Sequence, residues 1–239
     1  MKKWIALFLG LLMLTGVNAA FAEEEMIYSN DASDFALLSD AVPDAILEIR
    51  YYSTFNFIGD RIDGYEQPIA LLTSEAASAL KQVSDEMISQ GYRLKIYDTY
   101  RPQMAVEHFM RWAEDQADTR MKAFFYPALE KGEIIPQGYI ATRSNHSRGS
   151  TVDLTLFDMK AGADLDMGGP FDFFGELSHP GYTGVTEAQY ANRMLLRGAM
   201  TRHGFRAITS EWWHFTLDNE PYPDTYFTFP VSSRSVRPE

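Results

Sequence analysis

Two short stretches of this chain carry residue types that can do chemistry together. Ser144-Asn145-His146-Ser147-Arg148-Gly149-Ser150-Thr151-Val152-Asp153 offers an imidazole and a carboxylate, and Glu211-Trp212-Trp213-His214-Phe215 offers another of each. His146, Asp153 and His214 are the side-chain types that could hold a zinc ion with one coordination position open, and Glu211 could then serve as a base. A plainer alternative stands beside this one. Histidines next to aromatic residues are often ordinary core residues, and the compact HExxH motif is absent.

The spacing sets a geometric condition. His146 and Asp153 are an odd number of residues apart, so on one regular strand they would face opposite ways. Ser147-Arg148-Gly149-Ser150 must therefore supply an irregular turn if the two are to converge. Glu211 and His214 meet the same obstacle, and Glu211 is expected at the irregular start of the second strand. Of the remaining histidines, His108 falls within a helical pattern and His203 at a helix C-terminus, where structural roles suffice. His179 lies in a long loop, where it reads as a surface or gating residue.

Several elements must position these groups. Thr73 to Gln90 has helical periodicity through Leu80, Val83, Met87 and Ile88, with Thr73 or Ser74 as cap and Gly91 as stop. Ala45 to Tyr52 and Arg93 to Asp98 read as strands. Pro102 is suited to open a helix that ends near Asp118, and a further helical stretch is expected from Thr119 to Lys131. Thr151 to Leu156 alternates, placing Val152, Leu154 and Leu156 on one face and Thr151, Asp153 and Thr155 on a polar one. Asp164 to Gly184, rich in Gly, Pro and Asp, reads as a long functional loop. Glu187 to His203 reads as a helix and Trp212 to Leu217 as a strand. Strands and helices mix without strict alternation, which predicts an α+β single domain with a central antiparallel sheet flanked by helices.

The 239 residues suffice for one domain with a sizeable core. Lys2 and Lys3, the apolar run from Trp4 to Leu14 and Ala20-Phe21-Ala22 have the layout of a signal peptide, residues 1–22, cut after Ala22 to leave a domain of residues 23–239. The run is too short for a comfortable membrane anchor, so an exported periplasmic or secreted protein is expected. With no cysteine there is neither a disulfide nor a lipid-anchor site. Formal net charge is −12 and would fall to −14 without the two leader lysines, which argues against nucleic acid as partner.

The stretches IRYYSTFNF around Arg50, DTYRP (Asp98 to Pro102), SNHSRGSTVDLTL (Ser144 to Leu156), DMGGPFDFFGE (Asp166 to Glu176) and EWWHF together span most of the chain beyond the leader. They resemble the VanX-type D-alanyl-D-alanine dipeptidases, within the wider group of zinc peptidases that includes D,D-carboxypeptidases and the hedgehog-like fold. The SxHxxGxxxD and ExxH pair marks the wider group, and SRGSTVDLTL with MGGPFDFFGE marks the dipeptidase branch. The resemblance implies one Zn2+ per chain held by His146, Asp153 and His214, with Glu211 as base and Arg101 stabilising the transition state. It places Tyr51, Ser144 and Asp172 around the termini of a small dipeptide substrate. Two rival expectations are a D,D-carboxypeptidase acting on peptidoglycan stems and a non-catalytic zinc-containing wall-binding protein.

Overall fold

The strand that carries Asp153 is the centre of the molecule in the computed structural model, which describes residues 26–237. The expected leader, residues 1–22, lies outside the described residues. In chain order the first half comprises β1 (Ile27–Ser29), β2 (Phe35–Leu37), α1 (Leu38–Ala41), β3 (Ile46–Leu47), β4 (Leu71–Thr73), α2 (Ser74–Ser89), β5 (Tyr92–Asp98) and α3 (Gln103–Glu114). The second half comprises α4 (Lys122–Phe125), β6 (Thr151–Asp158), β7 (Ala163–Asp164), α5 (Glu187–Arg202), β8 (Phe205–Ala207), β9 (His214–Leu217), β10 (Thr225–Phe227) and α6 (Ser233–Val236).

The main sheet runs β3-β5-β6-β9-β8, with β7 also pairing with β6. Its centre is antiparallel as expected, while the edge strand β3 runs parallel to β5, so the sheet as a whole is mixed. The α+β single domain is therefore what the chain forms. Two small sheets, β1 with β10 and β2 with β4, pack outside the main one.

Register explains the two faces. Leu94 pairs with Leu156, Ile96 with Leu154, and Val152 with Phe215, which makes one face of the sheet continuously apolar. All of these side chains are buried, in one core with Leu80, Val83 and Met87 of α2 and with Leu196 and Met200 of α5. Asp153 pairs with His214 and Thr151 with Thr216 on the opposite face. That face is also buried. Its polar groups satisfy each other, as in the Thr151 Oγ1 to Thr216 Oγ1 contact of 2.8 Å.

Helix ends follow the local signals. Thr73 Oγ1 accepts from the Ala76 N–H at the start of α2, and Thr186 with Gln189 forms a reciprocal capping box at the start of α5. Several expectations shorten: the strand expected over Trp212–Leu217 begins only at His214, and the helix expected to end near Asp118 stops at Glu114. The strand expected over Ala45–Tyr52 is confined to Ile46–Leu47. Glu48 N and Arg50 N still donate to the Ile96 and Tyr97 carbonyls, but a bulge in β5 between Ile96 and Asp98 breaks the ladder there. The helix expected over Thr119–Lys131 reduces to Lys122–Phe125, because Pro127 disfavours helical geometry at Tyr126.

Asp164 to Gly184 is a loop with a single 3-10 turn at Glu176–Ser178, and it is packed rather than open. Phe171 stacks on Tyr97 at 4.7 Å and meets Trp213 edge-on at 5.3 Å, while Phe174 stacks on Tyr139 at 5.1 Å. These contacts make the loop one wall of the site.

Candidate active site

The turn before β6 meets the condition set by the odd spacing. Asn145–Arg148 forms a 3-10 turn capped by Ser144, whose Oγ accepts from the His146 N–H at 3.3 Å. Gly149 then takes a left-handed conformation, φ 81°, which only glycine adopts without penalty. The turn swings His146 onto the same face as Asp153. At the start of β9 the backbone is irregular through Trp213, tied down where Trp212 N donates to the Ser178 carbonyl at 2.9 Å. That irregularity leaves Glu211 Oε2 3.5 Å from His214 Nδ1.

Three donor atoms converge on this floor. His146 Nε2 lies 3.2 Å from His214 Nδ1 and 3.2 Å from Asp153 Oδ2, and His214 Nδ1 lies 3.0 Å from Asp153 Oδ1. A tetrahedral ion with nitrogen and oxygen bonds of about 2.0–2.1 Å needs ligand atoms about 3.3 Å apart, so the spacing suits such an ion. The tautomer suits it too. His146 Nδ1 sits 2.7 Å from the Thr99 carbonyl, which can only accept, so Nδ1 carries a proton and Nε2 is the atom turned to the cluster, where the neutral ring offers a lone pair to an ion. The three side chains are all buried and could hold a metal ion. Burial opposes ionisation of Asp153, but His146 and His214 outweigh it and hold the carboxyl well below the usual range.

A partly buried guanidinium borders the cluster. Arg101 donates from Nε to Asp98 Oδ2 at 2.9 Å and from Nη2 to Tyr51 Oη at 3.4 Å, and its Nη2 is 3.7 Å from Asp153 Oδ2. Its Nη1 reaches Ser144 Oγ at 3.5 Å. Asp98 holds this group from beneath. Leu94 and Ile96 face the apolar core, and regular alternation would send Asp98 the same way. The bulge instead pairs Asp98 with Asp153 and turns it into the site. Tyr65 donates to Asp98 Oδ1 at 2.6 Å, and His146 Nδ1 lies 3.5 Å from Asp98 Oδ2.

Asp172 reaches the cleft from the loop. It is the one non-glycine residue with positive φ among the described residues, at 60°, and its Oδ2 accepts from Tyr51 Oη at 2.9 Å. Burial, then the charge of Asp153, push its carboxyl well above the ordinary range against the pull of Arg101. Glu211, whose side chain is 36% exposed to the cleft, is also raised by desolvation, against the opposing charge of His214.

All eight site residues expected from the sequence line one cleft of about 600 Å³: Tyr51, Arg101, Ser144, His146, Asp153, Asp172, Glu211 and His214. His179 lines it as well. His108 and His203 lie elsewhere, bound to the Asp63 N–H and to Glu86 respectively, as structural roles require. Asp98, Tyr65 and the Thr99 carbonyl were not foreseen. DTYRP displays Asp98 in the sequence, but only the bulge reveals where it points.

Two imidazoles and a carboxylate converging on one point, with a second carboxylate and a fixed guanidinium at the rim, form the constellation of a metal-dependent hydrolase. Comparison with known proteins narrows the class. The family model described as D-ala-D-ala dipeptidase matches residues 31–232, and the chain belongs to that family of peptidases. It is 41% identical over 198 residues to a D-alanyl-D-alanine dipeptidase of Enterococcus faecalis, covering 83% of this chain and 98% of the relative. Identity to the D-alanyl-D-alanine dipeptidase of Streptomyces coelicolor is 40% over 199 residues, with 83% and 98% covered, and to that of Escherichia coli 37% over 189 residues, with 79% and 86% covered. Among solved structures, a Zn(II) complex of a variant of the vancomycin resistance D,D-pentapeptidase VanY aligns at TM-score 0.39 and 15% identity, covering 66% of this chain and 78% of that one.

Proposed function

We propose that this protein is a zinc-dependent dipeptidase that hydrolyses D-Ala-D-Ala to D-alanine in the cell envelope. The observation that carries the reading is the convergence of His146 Nε2, Asp153 and His214 Nδ1 at 3.0–3.2 Å, with the Glu211 carboxylate 3.5 Å from His214. The relatives named D-alanyl-D-alanine dipeptidase support the substrate.

His146, Asp153 and His214 would hold one zinc ion per chain. When bound, zinc lowers the pKa of a water toward about 7 and polarises a carbonyl. Glu211 accepts the proton of the attacking water and delivers it to the leaving amine, a role that suits a carboxyl lifted above its ordinary range. Arg101, fixed by Asp98 and stacked over the Tyr51 ring at 4.8 Å, neutralises the developing oxyanion without having to reorganise.

The substrate's own charges are matched by the wall. Asp172 is a buried carboxyl with no ion pair among the described residues, held in a state that an incoming ammonium would stabilise as the anion. Tyr51 orients it, and Ser144 is the partner for the substrate carboxylate. A cleft of about 600 Å³ exceeds what one dipeptide fills, and this favours trimming of peptidoglycan stems as the second reading.

Residues 1–22 serve as an export signal in this reading, leaving a domain of residues 23–239. Among the described residues no helix is long and apolar enough to cross a membrane. The test joins a metal assay to hydrolysis of D-Ala-D-Ala, L-Ala-L-Ala and an N-acylated D-Ala-D-Ala peptide. The reading requires stoichiometric zinc and cleavage of the free D-dipeptide over the acylated one. Cleavage of the acylated peptide in preference selects the carboxypeptidase, and bound zinc without hydrolysis of any of the three removes both.

A further inference from the structure

Arg193, in the middle of α5, is only 1% exposed, and the charge of Asp166 acts on it through space, but no carboxylate forms an ion pair with it among the described residues. Burying a guanidinium without a carboxylate partner is costly, so its hydrogen bonds must do something that an apolar side chain could not. All three that are seen go to backbone carbonyls of the long loop. Nε donates to Met167 O at 2.6 Å, Nη2 to Leu177 O at 2.9 Å, and Nη1 to His179 O at 2.7 Å. These acceptors lie on either side of Asp172 in sequence. Residues 167–179 thus form an Ω-shaped loop whose neck is closed by one side chain.

Neighbouring residues of α5 reinforce the first strand of the neck. Gln189 Nε2 donates to Asp166 Oδ2 and Asn192 Nδ2 to Asp166 O, both at 2.9 Å. The other strand leads to the base. Between Leu177 and His179, the Ser178 carbonyl accepts from Trp212 N, next to Glu211. A guanidinium deep in the opposite layer therefore sets the height of the wall that carries Asp172.

We propose that Arg193 is a positioning residue for substrate recognition. By clasping the loop neck it holds Asp172 at the depth where a free amino terminus is neutralised, and so restricts the enzyme to unblocked dipeptides. The inference rests on the reading of Asp172 as the ammonium partner. Arg193 touches neither substrate nor metal, and acts through the loop.

The test is a four-cornered comparison of the full-length wild type, Arg193→Lys, Asp172→Asn and the double variant. Each is assayed for zinc content, melting temperature, and kcat and KM on D-Ala-D-Ala and N-acetyl-D-Ala-D-Ala. Lysine keeps the charge but reaches fewer of the carbonyls, and asparagine tolerates the left-handed backbone at position 172. Arg193→Lys is expected to retain zinc and to raise KM for the free dipeptide on the order of tenfold, with a smaller change in kcat. In the Asp172→Asn background the same substitution should add less than about twofold, since the two act as one unit. The ratio of acetylated to free dipeptide turnover should rise in both single variants. Equal effects of Arg193→Lys with and without Asp172 overturn the inference alone, because a general loss of packing would act in both backgrounds. An unchanged KM in Asp172→Asn overturns the ammonium reading and the inference with it. If Arg193→Lys does not fold, Asn192→Ala, which removes one bond at the neck, replaces it in the same cycle. Its KM effect, on the order of twofold, should again vanish with Asp172.

Discussion

The floor and the wall of the cleft are built on different principles. The floor takes Asp153 and His214 from paired positions on adjacent strands, where register alone brings their donor atoms to 3.0 Å. The wall takes Asp172 from a loop, with a backbone in the left-handed region, a tyrosine hydroxyl for support and a distant arginine closing the neck. A sheet fixes ligands cheaply because its hydrogen bonds already fix the backbone. A loop has to be held at each end, and its selectivity depends on how well it is held. The floor should therefore govern whether the reaction occurs at all, and the wall which molecule it occurs on.

The largest expected effect comes from the floor. His214→Ala should release the metal and abolish turnover, as seen by metal analysis of the dialysed protein. Glu211→Gln should keep the metal and cut kcat by about 10²–10⁴-fold, the usual range for losing a general base. A metal-free Glu211→Gln protein would show that Glu211 belongs with the ligands. Arg101→Met is expected to cost about 10²–10³-fold in kcat with metal retained, as for other lost oxyanion donors.

On the wall the effect should move into KM. Asp172→Asn removes a charge-assisted contact of about 1.5–3 kcal/mol, so KM for D-Ala-D-Ala should rise while metal content stays whole. The pH dependence follows from the raised carboxyl of Asp172. Below that raised pKa the group is neutral and cannot hold the ammonium, so KM should fall as pH rises through it. It should climb again near pH 8, where a free α-amino group loses its proton at about 7.7–8.0. The limb that falls with pH should be missing in Asp172→Asn. The smallest effect belongs to the helix that clasps the wall. Thr186→Ala removes the cap of α5 and should cost about 1 kcal/mol in a denaturant titration, with kcat unchanged.

The same contrast governs what the sequence reveals. The alternation of Val152, Leu154 and Leu156 placed Asp153 on the site face, and the cap and stop of α2 were readable residue by residue. The odd spacing of His146 and Asp153 implied a break, which Gly149 supplies. Asp98 was hidden because a bulge reverses the face its position would otherwise take, and no residue type announces a bulge there. Arg193 was hidden for another reason. Its partners are backbone carbonyls, which every sequence has, so a long-range clasp leaves no motif.

The turn that carries His146 also ties the candidate metal cluster to the small sheet of β2 and β4. Gly149 lies so close to Phe35 of β2 that a Cβ there would come within 2.3 Å of that ring, and its carbonyl accepts from Thr73 N at 2.8 Å. Phe35 in turn packs edge-on against Tyr100, Phe227 and Phe229. Whatever binds to His146 therefore draws thermodynamically on the N- and C-terminal segments as well, because an ion that binds only the folded turn stabilises everything that must fold with it. Amide exchange around Phe35 and Phe227 should slow when zinc is added, which would make β2 and β10 a reporter of metal occupancy outside the cleft lining.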